Sequence, residues 1–319
     1  MARRTTRTLT ILAALAVLVT GCTLFEDDYT PDVLPIPEES VVAYGLARGC
    51  NVTSPATDDK CGGSQELDIY RSDEDGPNPV ALWIHGGGFV GGDKGVGVNE
   101  YFQELLDDGW DIVAVNYRLS TPDGQNRWPT ALHDVKAAVR WIKANAEAQD
   151  WDPERVAAIG HSAGGNLAAL LATTANEPGL EPNDLSGPLL TVDSSVIAAI
   201  SLRGVTDIGL YAQSPFGDPV ETYLGCMDCD LVNLASVQPH VDGDSFPVYA
   251  EYGGDDPIAA PEQGERLQDA FEQAGISDRF KLVVVDDGPK SFQGHEPDVK
   301  RFAGDYVDFL NDAVEQSSV

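Results

Sequence analysis

Short runs of apolar and β-branched residues recur through the chain, at 67–70, 80–84, 112–115, 156–159, 196–202, 248–252 and 282–285. From residue 80 onward most are near-continuous rather than alternating with polar residues, which marks strands buried on both faces. Between them the apolar positions change to helical spacing. Ala131, Leu132, Val135, Ala138, Val139 and Ile142 form one stripe behind Pro129. Lys136, Arg140 and Lys143 lie towards its C-terminal half, where positive charge complements the helix dipole. Gln263, Leu267, Ala270, Phe271 and Ala274 form a second stripe, closed by Gly275, and Val299, Phe302, Ala303, Tyr306 and Leu310 a third. Residues 166–175 read as a helix by composition. Strands alternating with helices predict an α/β domain, with a mainly parallel central sheet covered on both faces. Residues 203–247 break the rhythm and predict a small cap region. No internal repeat and no second folded domain is visible, so one domain is expected over residues 41–319.

The composition agrees with a packed domain: 319 residues, of which 42% are hydrophobic and 23% charged. The charge balance excludes partners. Against 20 Lys and Arg stand 52 Asp and Glu, a formal net charge of −32. Phosphate backbones and anionic headgroups are repelled by such a surface, so nucleic acid is not an expected partner.

The first residues carry a different pattern. Arg3, Arg4 and Arg7 precede an apolar run over 9–19, too short to span a bilayer but suited to the core of a signal peptide. Val19-Thr20-Gly21-Cys22 follows. It resembles the lipobox of bacterial lipoproteins, which implies a signal peptide over 1–21 and a lipidated Cys22. The alternative is an ordinary secretory signal cut nearby. Either way the protein is expected to be exported; with lipid on Cys22 it meets the membrane through that anchor only. Residues 22–40 are acidic and Pro-rich without a period, and read as a tether. Residues 23–40 fully extended reach about 60 Å.

Four further cysteines remain: Cys50, Cys61, Cys226 and Cys229. An even number in an exported chain reads as two disulfides with three possible connectivities, and short range favours Cys50–Cys61 and Cys226–Cys229. The Cys-x-x-Cys spacing at 226–229 is also that of a zinc or redox site. Zinc would want two more ligands, and no second such pair exists.

The candidate chemistry begins where the strand at 156–159 runs into Gly160-His161-Ser162-Ala163-Gly164-Gly165 and then a helix. Gly-x-Ser-x-Gly between strand and helix holds a serine in a strained turn with its Oγ exposed. Gly160 and Gly164 suit a turn too tight for flanking side chains, and the helix behind Ser162 aims its N-terminal N–H groups where negative charge will develop. Upstream, the strand at 80–84 ends in His85-Gly86-Gly87-Gly88-Phe89. Backbone N–H groups of such a loop can stabilise an oxyanion, whereas a phosphate loop would need Gly-Lys-Ser/Thr or Gly-x-Gly-x-x-Gly. His85 reads as a loop-shaping residue.

A serine on this kind of turn is followed along the chain by its acid and then its histidine. Of the five histidines only His240 and His295 come after the turn, and His240 precedes the strand expected to carry the acid. His295, between the strand at 282–285 and the last helix, is the expected base. The acid should follow the strand at 248–252, where Asp255 and Asp256 are adjacent. Adjacent side chains diverge, so only one can face His295 and stabilise its imidazolium.

Taken together, the segments Val80-Ala-Leu-Trp-Ile-His-Gly-Gly-Gly-Phe-Val-Gly-Gly-Asp-Lys94, Val115-Asn-Tyr-Arg-Leu119, Trp128-Pro-Thr-Ala-Leu-His-Asp-Val-Lys-Ala-Ala-Val-Arg-Trp141 and Asp152-Pro-Glu-Arg-Val156 resemble those of α/β-hydrolase fold carboxylesterases. The resemblance is to the bacterial feruloyl and acetylxylan esterase group, next to the hormone-sensitive-lipase-like esterases, and covers roughly residues 66–310. In that family the acid stands four residues after the aromatic residue or His ending its strand. Tyr252-Gly-Gly-Asp-Asp-Pro-Ile258 therefore implies Asp256. The resemblance also implies the N–H groups of Gly87, Gly88 and Ala163 as oxyanion donors. It departs at Gly294-His295-Glu296-Pro297, where the family often has Gly-His-Gly-Phe.

The expected reaction is acyl transfer from a carboxylic ester through Ser162, His295 and Asp256, which needs no metal or organic cofactor. The expected substrates carry a short or small aromatic acyl group on a small molecule or, as the resemblance implies, acetyl or feruloyl groups on polysaccharide. The alternatives are an amide or formamide hydrolase of the same fold, a non-catalytic surface binding protein, and a true lipase, which would carry an apolar lid.

Overall fold

The computed structural model describes residues 39–43, 65–95, 102–175, 177–183, 185–285, 295, 297 and 299–317. Cys22, Cys50 and Cys61 lie outside them.

In chain order the elements are β1 (Glu39–Ala43), β2 (Glu66–Tyr70), β3 (Asn78–Ile84), α1 (Gln103–Asp107), β4 (Asp111–Val115), α2 (Thr130–Gln149), β5 (Trp151–His161) and α3 (Ala163–Thr173). They continue with β6 (Ala199–Leu202), α4 (Ile208–Gln213), α5 (Pro219–Leu224), α6 (Asp230–Leu234), β7 (Val248–Gly253), α7 (Glu262–Gln273), β8 (Phe280–Val285) and α8 (Val299–Ser317). The strands form one eight-stranded sheet in the order β1-β2-β4-β3-β5-β6-β7-β8. Pairing is antiparallel from β1 to β2 and from β2 to β4, and parallel from β4 onward to β8. The expected mainly parallel α/β sheet is present. β1 begins at Glu39, inside the stretch read as a tether, because its backbone pairs with the edge of β2.

The near-continuous apolar runs have a simple cause. Val80, Leu82 and Ile84 of β3, Val113 and Val115 of β4, and Val156 and Ala158 of β5 enter one core. Their neighbours Ala81, Trp83, Ile112, Ala114, Ala157 and Ile159 enter a second core on the opposite face. Side chains alternate across a strand, so a strand covered on both faces needs apolar residues at every position. The first core takes Leu132, Val135 and Val139 of α2, Leu167 and Leu170 of α3, and Leu267 and Phe271 of α7. The second takes Leu105 and Leu106 of α1 and Tyr306, Val307 and Leu310 of α8. β8 is the exception among the runs. It is an edge strand and only partly buried, with Val284 exposed.

The basic residues of α2 do more than complement a dipole. Lys136 is fully buried, and its Nζ donates to the Thr174 carbonyl and to Glu181, both at 2.6 Å. Arg140 reaches the other Glu181 oxygen at 2.7 Å, and Lys143 reaches Asp193 at 2.6 Å. Burial lowers the Lys136 pKa, and the Glu181 carboxylate opposes that shift. The pattern of charges therefore ties the segment after α3 to α2.

Residues 203–247, expected as a cap, carry α4, α5, α6 and a 3₁₀ turn at Gln238–His240 between β6 and β7. Cys226 and Cys229 are joined by a disulfide within this stretch.

Candidate active site

β5 and α3 meet at Ser162, which has φ 55° and ψ −117° and caps the helix. A left-handed φ on a residue other than glycine costs about 1–3 kcal/mol and persists only where the surroundings enforce it. The Ser162 N–H donates to the Leu202 carbonyl of β6 at 2.8 Å, and the Ser162 carbonyl accepts from Asn166 and Val205 at 3.1 and 3.3 Å. The glycines around it are needed for space. A Cβ on Gly160 would lie 2.1 Å from the Gly164 carbonyl oxygen, and one on Gly164 would lie 2.0 Å from that of Ile84. Both obstacles are backbone, so neither can swing away. The helix predicted from residue 166 starts three residues earlier, at Ala163, directly behind the serine. The N–H groups of Ala163, Gly164 and Gly165 belong to its first turn, where no carbonyl of the same helix accepts them.

The glycine loop after β3 packs against this turn. A Cβ on Gly86 would lie 3.0 Å from the His161 carbonyl oxygen and 3.1 Å from the Ser162 Cβ. The chain then turns through Gly87 (φ 119°), Gly88 (φ 62°) and Phe89 (φ 66°). The Gly87 carbonyl accepts from Val90 and Gly91 at 3.1 and 3.0 Å. His85 shapes the loop, as expected. It is buried, its Nδ1–H donates to the Gly86 carbonyl at 2.7 Å, and its ring stacks on Tyr117 at 4.4 Å. Tyr117 Oη in turn donates to the His85 carbonyl at 3.0 Å. Desolvation lowers the His85 pKa, which favours the neutral imidazole. The region between β6 and β7 contacts the loop. Phe89 stacks on Tyr223 with ring centroids 3.8 Å apart, and a Cβ on Gly88 would lie 3.0 Å from Tyr211 Oη.

Asp256 and His295 form a buried pair, with His295 Nδ1 donating to Asp256 Oδ2 at 2.8 Å. The other Asp256 oxygen accepts from the N–H groups of Ile258 and Ala259 at 2.8 and 3.0 Å. The turn after β7 thus presents a carboxylate whose two oxygens have separate tasks. Asp255 is exposed. The choice between the two aspartates is made by the turn, which directs Asp256 inward. Because Nδ1 carries the proton shared with Asp256, Nε2 of neutral His295 is left as a proton acceptor. His240 is elsewhere, between Glu177 at 2.9 Å and the Leu234 carbonyl at 3.0 Å.

His295 is also joined to the serine turn. His161 Nε2 donates to the His295 carbonyl at 2.9 Å, and the two rings lie 5.0 Å apart. The structure therefore brings Ser162, the loop of Gly87 and Gly88, Ala163, Asp256 and His295 into one site. Sequence reasoning gave His161 no role, and the signal was weak: a histidine in the variable position of the motif. It equally missed Arg203, at the end of β6. Arg203 has φ 49° and is buried, with Nη2 3.2 Å from the buried Glu251 carboxylate. Among the described residues no group of three His, Cys, Asp or Glu is arranged to hold a metal ion.

A serine on a strand-to-helix turn at the carboxyl ends of a mainly parallel sheet, with an acid and a histidine from later loops, defines an α/β-hydrolase. Residues 67–271 match the BD-FAE family model, and the chain belongs to that family. It is 31% identical over 222 residues to the probable carboxylic ester hydrolase LipM of Mycobacterium tuberculosis, a match covering 66% of this chain and 50% of LipM. The chain spans half or less of the length of the curated relatives it matches in this way. A truncated carbohydrate esterase from gut microbiota shares the fold with a TM-score of 0.70 at 23% identity, over 88% of this chain and 96% of that one. The acetyl ester-xyloside bifunctional hydrolase of Caldicellulosiruptor lactoaceticus does so with a TM-score of 0.69 at 20% identity, over 87% and 97%.

Proposed function

We propose that this protein is a serine esterase that cleaves carboxylic esters by acyl transfer. One observation carries the reading: the buried Asp256–His295 pair is bonded to the same turn that holds Ser162 in its left-handed conformation against the glycine loop. His295 Nε2 takes the Ser162 proton as Oγ attacks the ester carbonyl. The oxyanion is received by N–H groups of Gly87, Gly88 and Ala163. The C–O bond to the alcohol breaks, and His295 returns the proton to the leaving oxygen. Water then attacks the acyl-enzyme with the same histidine as base, releasing the acid and restoring Ser162. Each oxyanion donor is worth about 10²–10³ in rate.

The substrate class in this reading is a short or small aromatic acyl ester, including acetyl or feruloyl esters of polysaccharide. Family membership and the named activities of LipM and the two structural neighbours support it. A panel of p-nitrophenyl acetate, butyrate and octanoate, methyl ferulate, acetylated xylan, and formyl and peptidyl amides tests it. Turnover is expected on acetate and butyrate at least tenfold above octanoate and above every amide. Preference for the formyl amide would make the enzyme an amidase, and no turnover of any member would remove the catalytic reading.

The cap role of residues 203–247 belongs to the same proposal, supported by the approach of Tyr211 and Pro219 to Gly88. So does export with a lipid on Cys22, supported by the arginines, the apolar run and Val19-Thr20-Gly21-Cys22. Expressed with its leader in a bacterial host, the chain is expected to partition into the detergent phase, and Cys22→Ser to move it to the aqueous phase. Equal partition of both would remove the anchor.

A further inference from the structure

His161 stands between Gly160 and Ser162, and its ring is hydrogen-bonded to the main chain of the proposed base. The sequence separates it from His295 by 134 positions, yet its Nε2 lies 2.9 Å from the His295 carbonyl oxygen. A carbonyl can only accept, so Nε2 carries the proton and Nδ1 is the unprotonated nitrogen. On that side the ring meets the oxyanion loop: a Cβ on Gly86 would lie 3.1 Å from His161 Nδ1. The ring is therefore packed between the glycine loop and the residue that would serve as base. It keeps some accessible surface, but desolvation, followed by the charge of His295, pushes its pKa down to about 3. Across the working pH range of an esterase it is a neutral, single-tautomer donor.

We propose that His161 is a positioning residue, whose Nε2–H···O=C bond to His295 sets the distance between base and nucleophile. This rests on the reading of Ser162, His295 and Asp256 as the triad. The physical argument is one of constraint. Asp256 holds the His295 side chain at Nδ1, a contact about which an imidazole can turn and which does not itself hold the main chain. The His161 bond holds the main chain of the same residue, and two points of attachment together fix where Nε2 can be. The second attachment begins one peptide bond from Ser162. The separation of base and nucleophile is thus set through one peptide unit, one imidazole and one hydrogen bond. Errors accumulated through the long intervening chain do not reach it. A displacement of the base of about 1 Å is enough to cost up to ~10² in rate.

The test compares His161→Gln with His161→Asn on otherwise intact protein, with p-nitrophenyl acetate turnover and the rate of inactivation by a fluorophosphonate probe as readouts. Both substitutions are neutral and polar. The glutamine amide reaches to where Nε2 stood, whereas the asparagine amide is one methylene shorter. Each kcat is normalised to the final extent of probe labelling, so that unfolded chains do not count. Glutamine is expected to keep kcat within about threefold of the parent. Asparagine is expected to lower it about tenfold to a hundredfold, with KM unchanged and the inactivation rate falling in the same ratio. Three results would overturn the proposal: equal activity of the two variants at any level, a change confined to KM, or no labelled enzyme with glutamine. Ser162→Ala run alongside separates this from failure of the triad reading. Only the latter leaves a Ser162→Ala chain that still takes up the probe and turns over ester.

Discussion

Replacing Ser162 with alanine should lower kcat on p-nitrophenyl acetate by about 10⁴–10⁶ and abolish labelling by a fluorophosphonate, with the protein still folded. The size of the effect follows from what is lost. The hydroxyl oxygen held against the glycine loop by a left-handed backbone is removed, while the N–H groups of the loop and the helix stay in place. Residual activity would then come from those donors and from His295 acting on water. The substitution should not harm the fold, because alanine tolerates the same surroundings and no described hydrogen bond of the Ser162 side chain supports the turn. The bonds that hold it run from the Ser162 N–H to Leu202 and from its carbonyl to Asn166 and Val205. Thermal denaturation should stay within a few degrees of the parent. Labelling that persists in the alanine variant would assign the nucleophile to another residue.

The second large effect is expected at Asp256, with Asp255 as its internal control. Asp256→Asn should lower kcat by about 10⁴, whereas Asp255→Asn should stay within about twofold. The reason is the division of work between the two carboxylate oxygens. Oδ1 accepts from Ile258 and Ala259, so an asparagine will direct its carbonyl oxygen to those N–H groups. Its NH₂ then faces His295 Nδ1, a donor set against a donor. The imidazole can satisfy it only by moving its proton to Nε2, and a protonated Nε2 cannot take the proton of Ser162. The wrong tautomer disables the site while leaving its shape almost unchanged, so the asparagine variant should fold and melt like the parent. Steady-state kinetics on both variants check this. A loss at residue 255 and none at residue 256 would reverse the assignment of the acid.

These two predictions differ in how far the sequence reaches them. Ser162 was legible from local pattern alone: a β-branched strand, a glycine on either side, and a helix following. The reason is that a tight turn is a local object, and its steric demands fall on residues within two or three positions. The glycine loop after His85 was legible for the same reason, since its φ values and its contacts with Gly91 and Gly92 lie within one short segment. Asp255 and Asp256 could not be separated by pattern, because which of two neighbouring side chains faces inward depends on how the turn after β7 meets a loop some 40 positions later. Likeness to a family chose Asp256, and the geometry directs the same residue towards His295.

His161 marks the other side of that boundary. Its place in the motif tolerates many residues, and nothing in its neighbours announces a partner at His295. The basic residues of α2 behaved similarly. Their spacing suggested complementarity to the helix dipole, but Lys136, Arg140 and Lys143 instead bind the segment from Thr174 to Asp193, which only the folded chain brings within reach.

By itself, then, the amino-acid order determined the class of fold, the strand-to-helix turn at Ser162 and the glycine loop. Burial on both faces of a sheet and the crowding of a sharp turn each restrict residue types position by position. Only the tertiary structure decided which aspartate meets the histidine, which residue of the serine turn is bonded to the carbonyl of that histidine, and which residues of the 203–247 region contact the glycine loop. Those contacts join segments far apart in the chain, and a hydrogen bond between such segments leaves no periodicity in either of them.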